Sequence, residues 1–541
     1  MASNASENDR AATRGTAAPR GTAAPRSTAQ RGDSDGDDGT ALAGGADGPA
    51  VLARLLEPVL EALAAGARDR GGPAPAGAPR ALDAAWRAVF EDDRARSARK
   101  PSAPDPLDST ASWQSADAAG GGVGALAEIV RAFAGGSVEP ADPRCAAHLH
   151  CPPLAVAVAA DLAASALNPS LDSWDQAPIG TSLEPAVIAE LADLAGYPST
   201  ADGVVTTGGS ESNLLGLLLA REHAIPGATR NGLPPGRYRI YGSEVTHFSI
   251  HRAAGLLGFG EDAFFPVRTG RDHRLDPDAL DDALSTSDHT PIAIVATAGT
   301  TDLGAIDPLP EIAEVAKKHK VWLHVDAAYG GGALFSRTLA PKLKGLNYAD
   351  SIGLDLHKLG WQPVAAGIFI TANKTNLATL ARRAEYLNPA DDEDAGYTSL
   401  LGRSLRTTRR PDALKIAVTL RALGRDGLGA LVDRCAALAS HARTSIEKEP
   451  ALELYQPPVL TTVVFRFRGA NQVHSKATDE INARLRRALL AAGAAVLGRT
   501  EINGRVWLKL TLLNPDATNA DVDALLAAVV SAGTEELEAA R

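Results

Sequence analysis

The sequence predicts an α/β protein built on a mainly parallel sheet, with a small α+β domain at its carboxyl end. Three observations carry this. Strand-like apolar runs alternate with helical patterns through residues 200–370, which implies parallel strands joined by right-handed crossovers. One of those runs, Val321-Trp322-Leu323-His324-Val325, delivers Asp326 and then breaks on Ala327-Ala328-Tyr329-Gly330-Gly331, the look of a buried strand ending in a carboxylate. From about Leu428 the pattern becomes helix–strand–strand–helix, with strands at Val459–Arg468 and Val506–Leu513.

Composition bounds the rest. The chain has 541 residues, 45% hydrophobic and 22% charged, which is enough for a large core and ordinary for a globular protein. Its net charge of −11 is acidic and unclustered, which argues against a nucleic-acid partner. Cys145, Cys151 and Cys435 form neither a disulfide framework nor a metal spacing, which favours a reducing cytoplasm. There is no apolar run of membrane-spanning length and no secretory signal pattern at the start.

Residues 1–48 are expected to be a disordered tail. Arg14-Gly-Thr-Ala-Ala-Pro repeats at Arg20 and imperfectly at Arg26, and an acidic patch at Asp33–Asp38 follows. Too little apolar surface is available there to offset the entropy of ordering. Residues 49–165 read as an N-terminal helical segment. It has helices at Ala50–Ala65, around Ala81–Phe90 and at Gly124–Phe133, a linker at Gly66–Pro79, and a loop across 93–120. Residues 166–427 form the large domain and 428–541 the small one. Within the large domain we expect helices at Glu184–Ala195, after the string Val204–Asn213 as far as Arg221, at Pro310–His319 and from Asp412 through Leu423. Strands are expected at Ile292–Thr297 and Gly367–Thr371.

Four places hold residues with chemical potential. His148-Leu149-His150-Cys151 has metal-ligand residue types, but two prolines follow and no distant ligand pair completes a zinc site. Gly208-Gly209-Ser210 is a turn opening directly into a helix. That is either a simple cap or an anion site, since the first N–H groups of a helix are free and its dipole end is positive. Asp326 at a strand end would need a cationic partner if buried. Lys358 follows about thirty residues later, next to His357. An aspartate and a lysine so arranged suit a pyridoxal phosphate site. The lysine amine would bind the cofactor aldehyde, and the aspartate would keep the ring nitrogen protonated. A capping aspartate and a surface lysine are the plain alternative.

The full strings resolve that choice. Leu323-His324-Val325-Asp326-Ala327-Ala328-Tyr329-Gly330-Gly331 with Asp355-Leu356-His357-Lys358 resembles the group II pyridoxal phosphate-dependent amino-acid decarboxylases, over residues 140–430 and more loosely beyond. The resemblance implies the type I fold of these enzymes (aspartate aminotransferase-like), with a seven-stranded central sheet, and a homodimer whose subunits share their sites. It implies pyridoxal 5'-phosphate bound to Lys358, with Asp326 at the ring nitrogen, His247 flat on one ring face and Ala328 on the other. Gly209 and Ser210 would hold the phosphate, and Thr300, Ser351 and His357 would complete the contacts. Tyr397, in the acidic loop that follows Tyr386-Leu387-Asn388-Pro389, stands where the family has a mobile lid with a proton donor. Residues from His148 to Leu183 would line the substrate end. His251 reads as exposed on its helix.

Within the family, Asp172-Ser173-Trp174-Asp175-Gln176, Asp355-Leu356-His357-Lys358 and Thr407-Thr408-Arg409-Arg410 look most like the 2,4-diaminobutyrate and lysine decarboxylases. A non-aromatic substrate is therefore expected: 2,4-diaminobutyrate, ornithine or lysine. Leu401-Gly402-Arg403-Ser404 and Pro411 depart from that branch, which leaves a branched aliphatic substrate such as valine as the alternative. A pyridoxal phosphate aminotransferase is a further rival, since Arg466, Arg468, Arg499 and Arg505 could grip a carboxylate. A binding protein that kept only the fold is disfavoured by the presence of Asp326, His247 and Lys358 together.

Overall fold

The computed structural model describes residues 41–77, 79, 82, 87, 122–469 and 476–539. The repeats of the expected tail, most of the Ala81–Phe90 helix and the 93–120 loop lie outside the described residues.

The first helix is Gly48–Arg70, longer than the sequence suggested. Gly66 reads in the sequence as the start of a linker. It is instead a point of close approach, since a Cβ there would stand 2.7 Å from the Ala134 Cβ on the helix Gly122–Gly136. The helix ends at Gly71, whose φ of 71° is left-handed and whose N–H reaches the Ala67 carbonyl. The helix expected from Glu184 begins at Pro178, where a ring with no N–H suits the first turn, and runs to Leu194.

Chain order introduces strand β1 (Cys145–Ala146), β2 (Asp202–Thr206), β3 (Tyr238–Ser243), β4 (Phe264–Val267), β5 (Thr290–Thr297), β6 (Trp322–Ala327), β7 (Ser351–Asp355) and β8 (Gly367–Thr371). Among the described residues, seven of these make the central sheet in the order β2-β8-β7-β6-β5-β3-β4. Pairs from β4 through β7 are parallel, while β8 runs antiparallel to both β7 and β2. The reason is the short connection from β7 to β8, too brief for a helical crossover. It folds back on itself, with Leu356 and Ala366 joined by a backbone bond of 2.8 Å. That fold-back carries His357 and Lys358.

The helix expected from Asp412 runs Ala413–Lys448. It leaves helical geometry only at Gly424, with φ 69°, next to the expected end at Leu423. Beyond it, β9 (Leu452–Leu454), β10 (Thr462–Phe467), β11 (Val496–Ile502) and β12 (Arg505–Thr511) form a second sheet with helices Lys476–Ala491 and Asn519–Ala539 against it. β1 joins its edge in parallel with β11, through Cys145 and Ala146. Two residues are too few for a periodicity, so this strand had no sequence signal.

Around the central sheet, Arg409 and Glu184 form a buried ion pair, each side chain 2% exposed, at 2.8 and 2.9 Å. Arg409 also reaches the Val205 carbonyl. Arg409→Ala leaves Glu184 charged and unpaired inside the protein. It is expected to cost about 3–5 kcal/mol in denaturant unfolding. A loss under about 1 kcal/mol, the scale of an exposed pair, would show that the pair does not hold the fold. His251 is not exposed as expected: it is half-buried, its ring 4.3 Å from that of Phe264. Among the described residues no helix is long and apolar enough to cross a membrane.

Candidate active site

A cavity of about 300 Å3 opens at the carboxyl ends of β2, β3, β5, β6 and β7, where ligands bind in open α/β sheets. Each strand delivers its residue there as the apolar run ends. β2 gives the Gly208-Gly209-Ser210 turn, β3 leads to His247 and β5 ends on Thr297. β6 gives Asp326 and Ala328, and β7 leads to Asp355, His357 and Lys358.

The turn after β2 is held by its backbone conformation. Gly208 has φ 148° and ψ −177°, a region open in practice only to glycine. A Cβ there would meet the His357 ring at 3.1 Å, and one on Gly209 would meet the Ala328 Cβ at 2.9 Å. Both glycines therefore keep space clear. Glu211 braces the turn, accepting from the Thr207 N–H at 2.6 Å and its hydroxyl at 2.8 Å, while Arg406 binds the other carboxylate oxygen at 3.1 Å. The first turn of helix Gly209–Ala224 faces the cavity with N–H groups that have no partner within the helix.

Asp326 is 6% exposed. The sequence implied a cationic partner; the partners that the chain itself supplies are neutral. Its oxygens accept from the Asn213 side-chain amide at 2.8 Å and from the Ala328 N–H at 3.0 Å, both neutral donors. Among the described residues no lysine or arginine pairs with it. An ionised carboxylate supported only by neutral donors suits a cationic ring nitrogen brought by a ligand. Asn213 lies on the helix that the Gly208-Gly209-Ser210 turn opens, and no local pattern singles it out.

Lys358 lies 2.9 Å from Asp355, and His357 lies 3.5 Å from the same oxygen. The His357 Nδ1 accepts from the Ala366 N–H at 3.2 Å, so its Nε2 carries the proton and faces Asp355. Burial lowers the pKa of this imidazole and of His247, against the pull of nearby carboxylates, so both rings are neutral. The His247 Nδ1 meets the Ser249 hydroxyl at 2.8 Å.

Among the described residues, two buried oxygens lining the cavity have no partner: Thr297 Oγ1 and Asp355 Oδ1. Orphaned polar atoms at that depth are costly unless a ligand meets them. Together with the glycine-cleared space, the helix start and the carboxylate, they make the donor and acceptor set fit pyridoxal phosphate. Neither residue was selected from the sequence. Thr300 was, and it also lines the cavity, but its hydroxyl accepts from the Ala305 N–H at 3.0 Å and serves its own turn.

Two expected site residues are not brought to the cavity. Ser351 sits at the opposite, amino end of β7, fully buried, its hydroxyl bonded to Trp322 and His324. Tyr397 is 48% exposed and rests edge-on against Trp174 at 4.9 Å, in a separate cleft with Tyr386. Of the N-terminal stretch, Leu149 lines the cavity, and the Cys151 thiol donates to the His357 carbonyl at 3.3 Å. None of Arg466, Arg468, Arg499 and Arg505 lines it. Arg466 is held by Glu453 at 2.8 Å and lies over the Trp507 ring. The departures at 401–411 belong to the scaffold: Leu401 is buried, Arg403 binds Asp202, and Pro411 packs near Gly180.

Comparison with known proteins agrees with this geometry. The pyridoxal-dependent decarboxylase conserved domain matches residues 126–468. An L-2,4-diaminobutyrate decarboxylase of Rhizobium meliloti (strain 1021) is 45% identical over 408 residues, 75% of this chain and 81% of that protein. One from Acinetobacter baumannii is 35% identical over 423 residues, 75% and 83% of the two chains. Among solved structures, the glutamate decarboxylase domain of a diaminobutyrate-pyruvate transaminase and L-2,4-diaminobutyrate decarboxylase from Vibrio parahaemolyticus superposes with a TM-score of 0.76. It is 32% identical and covers 92% of this chain and 98% of its own. Mouse CSAD gives a TM-score of 0.77 at 26% identity, covering 90% and 99%. The type I fold expected from the resemblance is the fold of this chain.

Proposed function

The chain belongs to the pyridoxal-dependent decarboxylase family, and from that we propose that its substrate is 2,4-diaminobutyrate, converted to carbon dioxide and 1,3-diaminopropane. The observation that carries the substrate is the likeness to two diaminobutyrate decarboxylases across three quarters of the chain. The valine alternative rests on departures at 401–411, none of which lines the cavity of their own chain, and that favours 2,4-diaminobutyrate.

We assign Lys358 to the covalent hold on the cofactor, Asp326 to its ring nitrogen, and His247 and Ala328 to its two faces. Gly209 and Ser210 offer their N–H groups to the phosphate, and Thr297 and Asp355 offer their unpartnered oxygens to the polar edges of the bound group. Pyridoxal phosphate, when bound, supplies the electron sink for the pair left as the Cα–carboxylate bond breaks. The chain's own part is placement and proton traffic. Lys358 would hold the cofactor through its Nζ, and Asp355, 2.9 Å away, would be the counter-ion of that nitrogen whenever it is protonated and free. The same Nζ would be placed to give a proton to the substrate Cα. Tyr397 is a second candidate for that proton, carried on the exposed acidic segment. Retention of wild-type kcat by Tyr397→Phe would leave the transfer to Lys358. A cytoplasmic homodimer with shared sites completes the reading. An active monomer in sedimentation would remove that part.

The deciding experiment offers the purified, cofactor-loaded protein 2,4-diaminobutyrate, ornithine, lysine, valine, glutamate and an aromatic amino acid in parallel, with products identified by mass spectrometry. 1,3-Diaminopropane as the main product is expected. Isobutylamine from valine would move the substrate to the aliphatic class, and a keto acid in place of any amine would sink decarboxylation by this chain.

A further inference from the structure

We infer that Asn213 and His324 are positioning residues for Asp326, holding its carboxylate through a one-way hydrogen-bond chain, and that Asn213 also sets the tautomer of His247. The inference rests on the assignment of Asp326 to the cofactor's ring nitrogen.

The chain begins behind the cavity, inside the central sheet. The Trp322 indole N–H donates to the Ser351 hydroxyl at 3.0 Å, and Ser351 meets the His324 Nδ1 at 2.9 Å. The His324 Nε2 meets the Asn213 Oδ1 at 2.9 Å, and the Asn213 amide donates to Asp326 at 2.8 Å. His324 and Ser351 are 0% exposed, Asn213 1% and Trp322 3%, so water does not compete for these groups.

Direction follows from what each group can do. An ionised carboxylate only accepts, so Asn213 turns its N–H to Asp326 and its carbonyl to His324. That carbonyl needs a donor, which places the single His324 proton on Nε2. Burial lowers the His324 pKa to about 4, so the ring is neutral and its Nδ1 is an acceptor. Ser351 therefore donates to Nδ1 and takes the Trp322 N–H in return. Every hydrogen in the chain points toward Asp326. Bonds aligned this way polarise one another, and each turns its positive end toward the Asp326 carboxylate. Its charge then faces the cavity.

The second Asn213 N–H goes to the Ser249 hydroxyl at 2.9 Å. Ser249 is thus free to donate to the His247 Nδ1, and its own backbone N–H lies 3.3 Å from the same nitrogen. The His247 proton is thereby set on Nε2. One amide joins the residue at the ring nitrogen to the residue at the ring face.

The packing is shaped around this. A Cβ on Gly216 would stand 2.5 Å from the His324 Nδ1, so the helix carries a glycine where the imidazole lies against it. The sequence motif that carried Asp326 contained His324, and the reaction as assigned above makes no use of it.

Four full-length variants test this. Asn213→Asp keeps the shape and removes the donors, and His324→Leu cuts the chain. His324→Gln keeps an N–H for Asn213, and Ser351→Ala removes an outer link. For each we would measure melting, the dissociation constant for pyridoxal phosphate, the visible absorption of the loaded enzyme across pH, and kcat against KM. Asn213→Asp and His324→Leu should bind the cofactor roughly ten- to a hundredfold more weakly, the scale of one lost hydrogen bond to a charge. They should also lose kcat more than they raise KM and shift the pH of the absorption change. His324→Gln should recover most of both losses. Wild-type cofactor affinity and absorption in folded Asn213→Asp would overturn the inference. So would equal losses in the Leu and Gln variants, which would make His324 a packing residue. If His324→Leu does not fold, the two volume-conserving variants decide. A wild-type protein that binds no cofactor would overturn the assignment of the cavity itself, and the inference with it.

Discussion

Lys358→Ala is expected to lose at least ~10^3-fold in kcat, because one side chain is asked both to hold the cofactor and to return a proton. Lys358 is the lysine that lines the cavity, 20% exposed and 2.9 Å from Asp355. No neighbour can take over. His357 is neutral and committed to Ala366, and among the described residues no arginine lines the cavity. Binding of the cofactor should persist at reduced affinity, since the helix start, Asp326 and the cleared space remain. The direct check is borohydride treatment of the loaded enzyme followed by peptide mass spectrometry. Wild type should retain the cofactor on the peptide containing Lys358, and the variant should retain none. Turnover within tenfold of wild type in the variant would remove Lys358 from the reaction. Lys358 is also the nearer partner of Asp355, so the variant leaves that buried carboxylate with only the His357 Nε2 at 3.5 Å, and a lowered melting temperature should accompany the loss.

Asp326→Asn should cost on the order of 10²–10³ in kcat, the scale found when a preorganised electrostatic contact is removed from a reacting group. The substitution conserves shape but leaves one oxygen where Asn213 and Ala328 donate to two, so one of those bonds is lost and stability should fall by about 1–3 kcal/mol. A fall in kcat larger than that loss of stability accounts for, with altered visible absorption of the loaded and still folded enzyme, would locate the loss in the electronics of the site. Equal activity in Asp326→Asn would show that a neutral contact suffices, and the carboxylate would then have no role at the ring nitrogen.

The residues selected from the sequence fall into two groups in space. His247, Gly209, Ser210, Ala328, Asp326, His357 and Lys358 all line the cavity. Each sits just beyond a strand or at a helix start, where a local pattern of apolar run and breaker fixes both the turn and the direction the residue faces. Ser351 and Tyr397 were placed by family resemblance without such a pattern. One lies at the wrong end of its strand, and the other lies in its own cleft. Thr300 also came from the resemblance, whereas the unpartnered hydroxyl belongs to Thr297 on the strand before it.

The sequence by itself determined the alternation that makes a parallel sheet, the strand-end aspartate, the glycine-serine helix start and the lysine of the fold-back, because each is written within a few consecutive residues. Only the tertiary structure decided what surrounds them. Asp326 is supported by Asn213 from another element, 113 residues away in the chain. Arg406 and Glu211 brace the turn from 195 residues apart, and β1 completes a sheet whose other strands lie more than three hundred residues on. Neutral hydrogen-bond partners leave no periodicity and no charge pattern, so nothing in the linear chain distinguishes them from ordinary core polar residues. Their geometry exists only once the strands are side by side.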